Sequence, residues 1–234
     1  EIKDAIGHDC YVHIAPEHSP LSLQENVNTS RKAEKLTGQL RVIFLSRITP
    51  KKNLRYALDL LRPVQAEIVL DIFGPVEDRS YWNECLQTIS RHPHRAAIRY
   101  RGLLPHEKVL ETLSQYHFFL LPTLGENFGY AILEAFTAGC PVMISDRTPW
   151  RNLAAKRAGW DLPLDAPESW RAALQQATAM DHATHASYSN AAQDLAREWV
   201  RSPDLERQSV ELFQRARDNW NPAAHGSAGS EASR

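Results

Sequence analysis

The feature that most constrains this chain is a regular alternation of short apolar runs with segments of helical periodicity, beginning near residue 40. The runs are rich in β-branched residues and apolar on both faces, which is typical of parallel strands buried beneath helices. This repeated βα pattern predicts a doubly wound α/β domain, a parallel sheet whose ligand binds at the carboxyl ends of the strands. The predicted strands are Leu40–Ser46, Glu67–Phe73, Ala97–Tyr100, Phe118–Leu121 and Pro141–Ser145. The predicted helices between and after them are Asn53–Leu61, Tyr81–Ser90, His106–Gln115, Phe128–Ala138 and Trp150–Ala158.

The two ends of the chain differ from this alternating middle. Residues 1–36 contain one short strand-like run, Cys10–Ile14, and then a polar stretch, so we expect the end of a preceding domain and a linker. The first residues show neither an initiator methionine nor a signal-peptide pattern, and we expect the chain to be part of a longer protein. We divide the remainder into a domain over residues 37–184, helices over 185–220 and a loose tail over 221–234. The helices predicted after Trp160 are Pro167–Met180, His185–Arg201 and Pro203–Trp220.

Composition excludes several function classes. Lys plus Arg number 27 against 28 Asp plus Glu, a formal net charge of -1, so the bulk charge does not attract nucleic acid or anionic lipid. No window holds the ~18 apolar residues that a membrane-spanning helix needs. The three cysteines, Cys10, Cys85 and Cys140, are odd in number and form no CxxC pair, which favours a reducing, cytoplasmic setting.

Several motifs that would assign a chemistry are absent. No two of the ten glycines are separated by a single residue, so the GxGxxG turn of NAD-binding domains cannot occur. The patterns GxxxxGK[ST], HExxH and GxSxG are absent as well, which removes P-loop, zincin and nucleophile-elbow chemistry. Histidines at metal-compatible spacings, His92 with His94 and His182 with His185, lack carboxylate or thiol neighbours in the sequence. We interpret them as exposed loop or helix-face histidines and expect no metal site.

The densest signal is the segment LPTLGENFGYAILEAFTAGCP. A strand is followed by a turn with Gly125 and Gly129 and by a helix, which offers backbone N–H groups and a positive dipole end to an anion such as phosphate. Glu126 lies in the turn and Glu134 in the helix, and a carboxylate can accept hydrogen bonds from both hydroxyls of a vicinal diol. The pair is suited to bracket a diphosphate, with one Glu at a hexose and one at a ribose. In isolation it is equally compatible with a first-turn acid and a solvated charge on the helix face.

A second signal is the basic turn SRITPKKN, directly after the first predicted strand. Arg47 supplies a planar fork for two oxygens, and Lys51 and Lys52 supply point charges. Asn53 is placed to cap the next helix. Three cations at the carboxyl end of a strand suit a polyphosphate, and a diphosphate beside two carboxylates needs cations to offset the repulsion. Alone, the turn is also compatible with a solvated basic loop.

Taken in order, these segments resemble the carboxyl-terminal, donor-binding domain of GT-B-fold glycosyltransferases. The pattern comprises the SRxxPKKN turn, the FGP loop at Phe73–Pro75, RGLLPHEKV, FFLLPT and GENFGYAILEAFTAGCPVMISD, then a Gly-Trp turn after a short helix. It is similar to the group 1 family of retaining enzymes, glycosyltransferase family 4, over about residues 36–180. The resemblance implies a Rossmann-like half of a GT-B fold with extra carboxyl-terminal helices, and a role in polysaccharide or glycolipid biosynthesis.

The resemblance implies a role for each candidate residue. Arg47 and Lys52 fall where the family holds the diphosphate of the nucleotide-sugar, with Lys51 as the neighbouring cation. Glu126 matches the glutamate beside the sugar and the reacting centre, and Glu134 matches the one that holds the ribose hydroxyls. The remaining donor-binding positions, which contribute mainly backbone groups, are Asn127, Phe128 and Gly129 at the phosphate and sugar, and Gly102 and Leu103 at the base.

The resemblance also implies a partner. In GT-B enzymes the acceptor binds mostly to an amino-terminal domain, and catalysis takes place in the cleft between the two halves. We expect that domain to be missing from this sequence, so the chain is expected to bind a nucleotide-sugar as substrate but to be inactive alone. Neither a cofactor, a metal nor nucleic acid is expected, and membrane association of the full-length enzyme stays open. Two alternatives share parts of the pattern: a nucleotide-sugar epimerase of GT-B-like fold, and a non-enzymatic flavodoxin-like binding module.

Overall fold

A computed structural model describes residues 34–64, 66–92 and 96–202, together with Gln214. The compact unit that ends at Val200 contains all the helices and strands given below. The predictions for Cys10–Ile14, for the helix Pro203–Trp220 and for the tail over residues 221–234 lie outside the described residues, Gln214 apart.

Six parallel strands form one sheet in the order β3-β2-β1-β4-β5-β6. The strands are β1 Gln39–Leu45, β2 Glu67–Phe73, β3 Ala96–Gly102, β4 Phe118–Leu121, β5 Val142–Ser145 and β6 Gly159–Leu162. The direction of winding reverses between β1 and β4, which is the switch point where a doubly wound sheet opens a crevice at its carboxyl ends. The predicted fold class is confirmed. Each of the five predicted strands begins and ends within two residues of the predicted positions.

Helices connect and cover the strands. They are α1 Leu54–Leu61, α2 Arg79–Ser90, α3 Val109–Leu113, α4 Tyr130–Thr137, α5 Pro167–Ala179 and α6 His182–Val200. Short 3-10 helices, Pro50–Lys52 and His106–Lys108, precede α1 and α3. Helix α1 packs against α2 and α5, and α4 packs against α3 and α6. Right-handed crossovers in this strand order place α1 and α2 on one face of the sheet and α4 on the other.

The core lies along the middle of the sheet, where every residue of β4 and of β5 is buried. Helix α1 shows how the sequence covers it: Leu54, Leu58 and Leu61 recur at helical spacing and are buried, while Arg55 faces solvent. Each fully buried leucine contributes about 1.5–3 kcal/mol to folding. Pro63, two residues after the helix ends, disfavours its continuation. The loop after β1 therefore leads into a firmly packed helix.

The helix predicted at Trp150–Ala158 is wrong, because this segment forms successive turns. Asn152 and Arg157 adopt left-handed backbone conformations, with φ of 59° and 54°, which interrupt a right-handed helix. The carboxylate of Asp161 accepts hydrogen bonds from the backbone N–H groups of Asn152 and Leu153 (3.1 and 2.9 Å). A contact with a residue further along the chain thus overrides the helical periodicity.

The predicted Gly-Trp turn is instead the beginning of β6, for which no strand was predicted. At Gly159, with φ of 137°, an added Cβ would lie 1.9 Å from the carbonyl oxygen of Val142. Only glycine permits β6 to approach β5 this closely. The strand has four residues and opens with glycine, so its sequence carries the signal of a turn.

The helix beginnings also differ in detail from the predictions. The Asp78 carboxylate accepts from the N–H of Tyr81 (2.9 Å), so α2 begins at Arg79, earlier than predicted. Asn53 does stand at the N-cap of α1, but its backbone is left-handed (φ 59°) and its side chain makes no capping hydrogen bond. Helix α6 begins at His182, so the limit that we set at residue 184 falls within it, and the domain limits stay a prediction.

The interpretation of the spaced histidines as surface residues is wrong for one of them and correct for another. His185 is 5% exposed, and its Nε2 contacts the carbonyl of His117 (2.9 Å). His92 is half-buried, with its Nε2 against the carbonyl of Leu58 (2.8 Å), and His182 is exposed. The rings of His185 and His92 therefore pack against the rest of the protein and contact backbone carbonyls.

Candidate functional site

The carboxyl ends of β1, β4 and β5 are tied together by loop hydrogen bonds. In the loop after β4, the N–H of Leu124 and the hydroxyl of Thr123 donate to the carbonyl of Lys51, in the loop after β1 (2.8 and 3.1 Å). The hydroxyl of Ser145, the last residue of β5, donates to the carbonyl of Thr123 (2.5 Å). These bonds fix the two candidate loops on either side of the switch point.

Lys52 and Glu126 form an ion pair at this point. The Nζ of Lys52 lies 2.5 Å from Oε1 of Glu126, and each side chain is only 11% exposed. Lys52 ends the 3-10 helix, whereas its neighbour Lys51 is exposed. The N–H of Glu126 donates to the carbonyl of Arg147 (3.0 Å), which fixes this glutamate from the β5 side. The structure therefore brings one cation of the basic turn and the first glutamate together.

The burial of this pair limits which ligands can take the place of either partner. Removing either group would leave a poorly solvated charge, at a cost of about 1–3 kcal/mol or more. A ligand satisfies both groups if it offers negative charge to Lys52 and hydroxyl donors to Glu126. A diphosphate linked to a sugar has both kinds of group.

Arg47 lies in the same loop as Lys52 but has a different partner. Its guanidinium donates to the carboxylate of Glu77 (3.1 Å), in the loop after β2, and its side chain is 59% exposed. Gly74 permits the two loops to approach, because a Cβ there would lie 2.0 Å from the carbonyl oxygen of Ser46. Arg47 is thus an exposed cation held outside the Lys52–Glu126 pair.

Glu134 lies within α4 and faces the loop after β3. Its Oε1 is 3.6 Å from Nδ1 of His106, in the 3-10 helix before α3. The Glu134 side chain is 14% exposed, whereas that of His106 is 81% exposed. Burial raises the pKa of Glu134, and the charge of His106 opposes this rise. The two glutamates therefore serve different loops, Glu126 the one after β1 and Glu134 the one after β3.

In the turn before α4 the largest side chain, Phe128, is buried, and the backbone is left nearer the surface. Asn127 is exposed, but Phe128 is buried against Trp150, whose indole N–H donates to the Phe128 carbonyl (2.9 Å). Gly129 has a φ of 85°, and the helix begins at Tyr130, later than predicted. The first turn of a helix directs backbone N–H groups outward along its axis. Phe128 thus anchors the turn.

Gly102 is the last residue of β3, and Leu103 follows it. Gly102 has a φ of 78°, and an added Cβ there would meet no atom within 4 Å. Its carbonyl accepts the N–H of Gly74 (2.9 Å), and Leu103 is 71% exposed. The space beside the Gly102 backbone is therefore open.

Sequence reasoning missed the partners of these residues. Glu77 stands in no motif and meets Arg47 only because β2 lies beside β1. His106 occurs in the RGLLPHEKV segment, but nothing in its spacing points to Glu134. Thr123 had a usable signal, since a hydroxyl residue directly after an apolar strand lies at the ligand-binding edge of such a sheet.

Within the described ranges, none of the helices combines the length and the apolar character needed to cross a membrane. The same residues contain no group of three or more His, Cys, Asp or Glu side chains arranged to hold a metal ion. The metal-independent reaction stays a prediction.

Curated relatives match the chain in sequence. WcaL of Salmonella typhimurium, which is named as a colanic acid biosynthesis glycosyltransferase, is 26% identical over 188 residues, covering 75% of this chain and 45% of WcaL. The O-antigen chain mannosyltransferase B of Escherichia coli is 29% identical over 119 residues, covering 48% of this chain and 30% of that protein. The chain therefore spans less than half the length of these relatives.

Solved structures share the fold. HepE of Anabaena, crystallised in complex with UDP and glucose, has a TM-score of 0.60 at 16% identity, over 77% of this chain and 49% of that one. A glycosyltransferase from Rickettsia africae has a TM-score of 0.65 at 12% identity, over 79% of this chain and 50% of that one. Residues 26–194 match the family model described as glycosyl transferases group 1, and the chain therefore belongs to the group 1 glycosyltransferase family.

Proposed function

We propose that this chain is the nucleotide-sugar-binding half of a retaining glycosyltransferase that transfers a hexose to an acceptor. The observation that carries the proposal is the Lys52–Glu126 ion pair, nearly buried at the switch point of the sheet. An isolated basic loop has no need of a buried carboxylate beside it, whereas a site for a sugar diphosphate needs a cation and a hydroxyl acceptor side by side.

The surrounding residues extend the same assignment. Lys52, with Arg47 at the outer edge of the loop, is the group that we assign to the diphosphate. Glu126 is assigned to the sugar, Glu134 to the ribose, and the open backbone at Gly102 to the base. The complex of HepE with UDP and glucose supports this division, since a protein of the same fold binds both parts of such a donor.

In the proposed reaction the bond between the sugar C1 and the diphosphate oxygen breaks. The departing oxygen takes the proton of the acceptor hydroxyl on the same face, and the acceptor oxygen bonds to C1, so the configuration is retained. Lys52, Arg47 and the start of α4 stabilise the negative charge that develops on the diphosphate. No covalent nucleophile is required of this chain, and neither alternative, epimerase or flavodoxin-like module, is favoured by the site.

A thermal-shift screen of the 234-residue chain against UDP-, GDP-, ADP- and TDP-sugars tests the proposal. A donor at about 100 times its Kd adds roughly 2.7 kcal/mol, which raises the Tm of a chain of this size by roughly 5–10 °C. A Tm that none of the four donors changes at millimolar concentration would contradict the proposed function.

The basic turn is then tested by calorimetry on Lys52→Ala and Arg47→Ala. Each removes a charge-assisted contact worth about 1.5–3 kcal/mol, so each should weaken donor binding roughly 10- to 100-fold. The matched controls are Lys51→Ala, an exposed lysine in the same turn, and Arg55→Ala, whose ion pair with Glu84 (3.0 Å) is as exposed as that of Arg47. Equal affinities in all four variants would show that the basic turn does not bind the donor.

A further inference from the structure

His106 approaches Glu134 without bonding to it. The 3.6 Å between Nδ1 and Oε1 exceeds the 2.7–3.2 Å of an N–H···O hydrogen bond, so neither group satisfies the other. A hydroxyl oxygen that lies at hydrogen-bond distance from both atoms fits across a gap of this width. The two groups therefore frame a position for a ligand hydroxyl.

The chemistry of the two groups is complementary at that position. An ionised carboxylate only accepts hydrogen bonds, so a hydroxyl held by Glu134 in this form donates its proton to that contact. The lone pairs of that hydroxyl then need a donor. An imidazole N–H is such a donor, and a protonated imidazole is a stronger one.

We propose that His106 is a second ribose-binding residue, whose imidazole donates to a ribose hydroxyl held at the same time by Glu134. The inference rests on the proposed function, because it takes the ribose of the donor to lie at Glu134. The exposed side chain of His106 is free to adjust to the ligand, whereas the largely buried Glu134 supplies the fixed point.

Charged groups surround His106 on three elements. Glu134 faces it from α4, Glu107 and Lys108 belong to the same 3-10 helix, and Lys108 is bound by Glu111 of α3 (3.0 Å). Histidine side chains gain a proton as pH falls from about 8 to 6. A protonated imidazole is a stronger donor than a neutral one and attracts a diphosphate, so binding through His106 is expected to be tighter at pH 6 than at pH 8.

Calorimetry with UDP, GDP, ADP and TDP, at pH 8 and pH 6, tests the proposal on the 234-residue chain. With the tightest of the four, His106→Ala should weaken binding about tenfold at pH 6, and His106→Gln, which keeps an N–H donor, should recover most of the loss at pH 8. Between pH 8 and 6 the unmodified chain should gain about fivefold more affinity than His106→Gln, whose own change reports the titration of the diphosphate. His182→Ala, an exposed histidine at the start of α6, is the matched control and should behave like the unmodified chain.

A double-mutant cycle separates a binding role from a structural one. If both residues hold one hydroxyl, His106→Ala combined with Glu134→Gln should lose clearly less affinity than the product of the two single losses. Loss of affinity in Glu134→Gln with none in His106→Ala would overturn the role of His106 and leave the proposed function standing. Equal pH dependence in the unmodified chain and in His106→Gln would also overturn it. Failure of UDP, GDP, ADP and TDP alike to bind the unmodified chain would overturn both.

Discussion

The charged candidate side chains each approach a group of opposite charge. Lys52 contacts Glu126 and Arg47 contacts Glu77, so a diphosphate that binds here exchanges one partner for another rather than meeting bare cations. The gain from each phosphate contact is reduced by the contact that it replaces. At the residue scale, then, the two glutamates of the motif are expected to respond differently when they are changed.

We predict that Glu134→Gln weakens free nucleoside diphosphate and intact sugar donor alike, since both carry the ribose. Glu126→Gln should not weaken the free diphosphate, because it removes a competitor for Lys52, and should act mainly on the intact donor and, in a full-length enzyme, on kcat. Calorimetry with the diphosphate and with its sugar conjugate measures both.

Glu111→Gln, an exposed glutamate paired with Lys108, is the control for a change of charge alone. If Glu126→Gln lowers nucleoside diphosphate affinity as much as Glu134→Gln does, the wrong carboxylate has been assigned to the sugar.

At the scale of elements, the junction of β1 and β4 depends on an uncharged histidine. His117 is 1% exposed, and its Nδ1 accepts the backbone N–H of Arg41 (3.0 Å) while its Nε2 lies against the carbonyl of Glu34 (3.2 Å). Because Nδ1 accepts, the single proton of the neutral ring lies on Nε2. Burial, followed by the neighbouring His185, lowers the pKa of His117 to about 3.

The stability of the fold should therefore decrease as pH falls below about 6.5. Between that value and the lowered pKa of about 3, the unfolded chain binds a proton at His117 that the folded chain does not. This residue contributes its full stabilisation above pH 6.5, and the contribution falls by up to about 1.4 kcal/mol per pH unit as the solution is acidified. Urea denaturation at pH 7.5, 6 and 5 measures the slope.

His117→Asn keeps an acceptor near the Arg41 N–H but cannot titrate. The slope of its unfolding free energy against pH should therefore be smaller by up to about 1.4 kcal/mol per pH unit. His182→Asn, an exposed histidine, should keep the slope of the unmodified chain. Identical slopes in all three proteins would show that His117 is not the group responsible.

Elements that depend on local signals could be predicted from the sequence, and those that depend on distant contacts could not. Strands β1 to β5 and the two candidate loops follow from apolar runs and turn residues. The segment before β6 reads as a helix because nothing local shows that Asp161 will bind its backbone. Likewise, two adjacent lysines look equivalent, and the 3-10 turn decides that Lys52 faces Glu126 while Lys51 faces solvent.

At the scale of the whole molecule, the chain spans 45% of WcaL and 49% of HepE. The candidate residues described above are all assigned, in the proposed function, to the donor. We therefore predict that the 234-residue chain binds a nucleoside diphosphate or its sugar conjugate but transfers no sugar. Chromatography of donor and acceptor after incubation with simple sugar acceptors checks this, with a full-length homologous enzyme as the positive control. Robust transfer by the chain alone would contradict the division of labour between two halves.

The pairing of Lys52 with Glu126 also bears on how fast a donor arrives. A cation neutralised at 2.5 Å projects little field into solution, so Lys52 adds little long-range attraction for a diphosphate. We expect the association rate constant, measured by stopped flow, to change less than about threefold between 50 and 500 mM salt. Glu126→Gln exposes the lysine charge and should make that rate both faster and more sensitive to salt. On the proposed function, Lys52 thus contributes to holding a bound donor rather than to the rate at which the donor arrives.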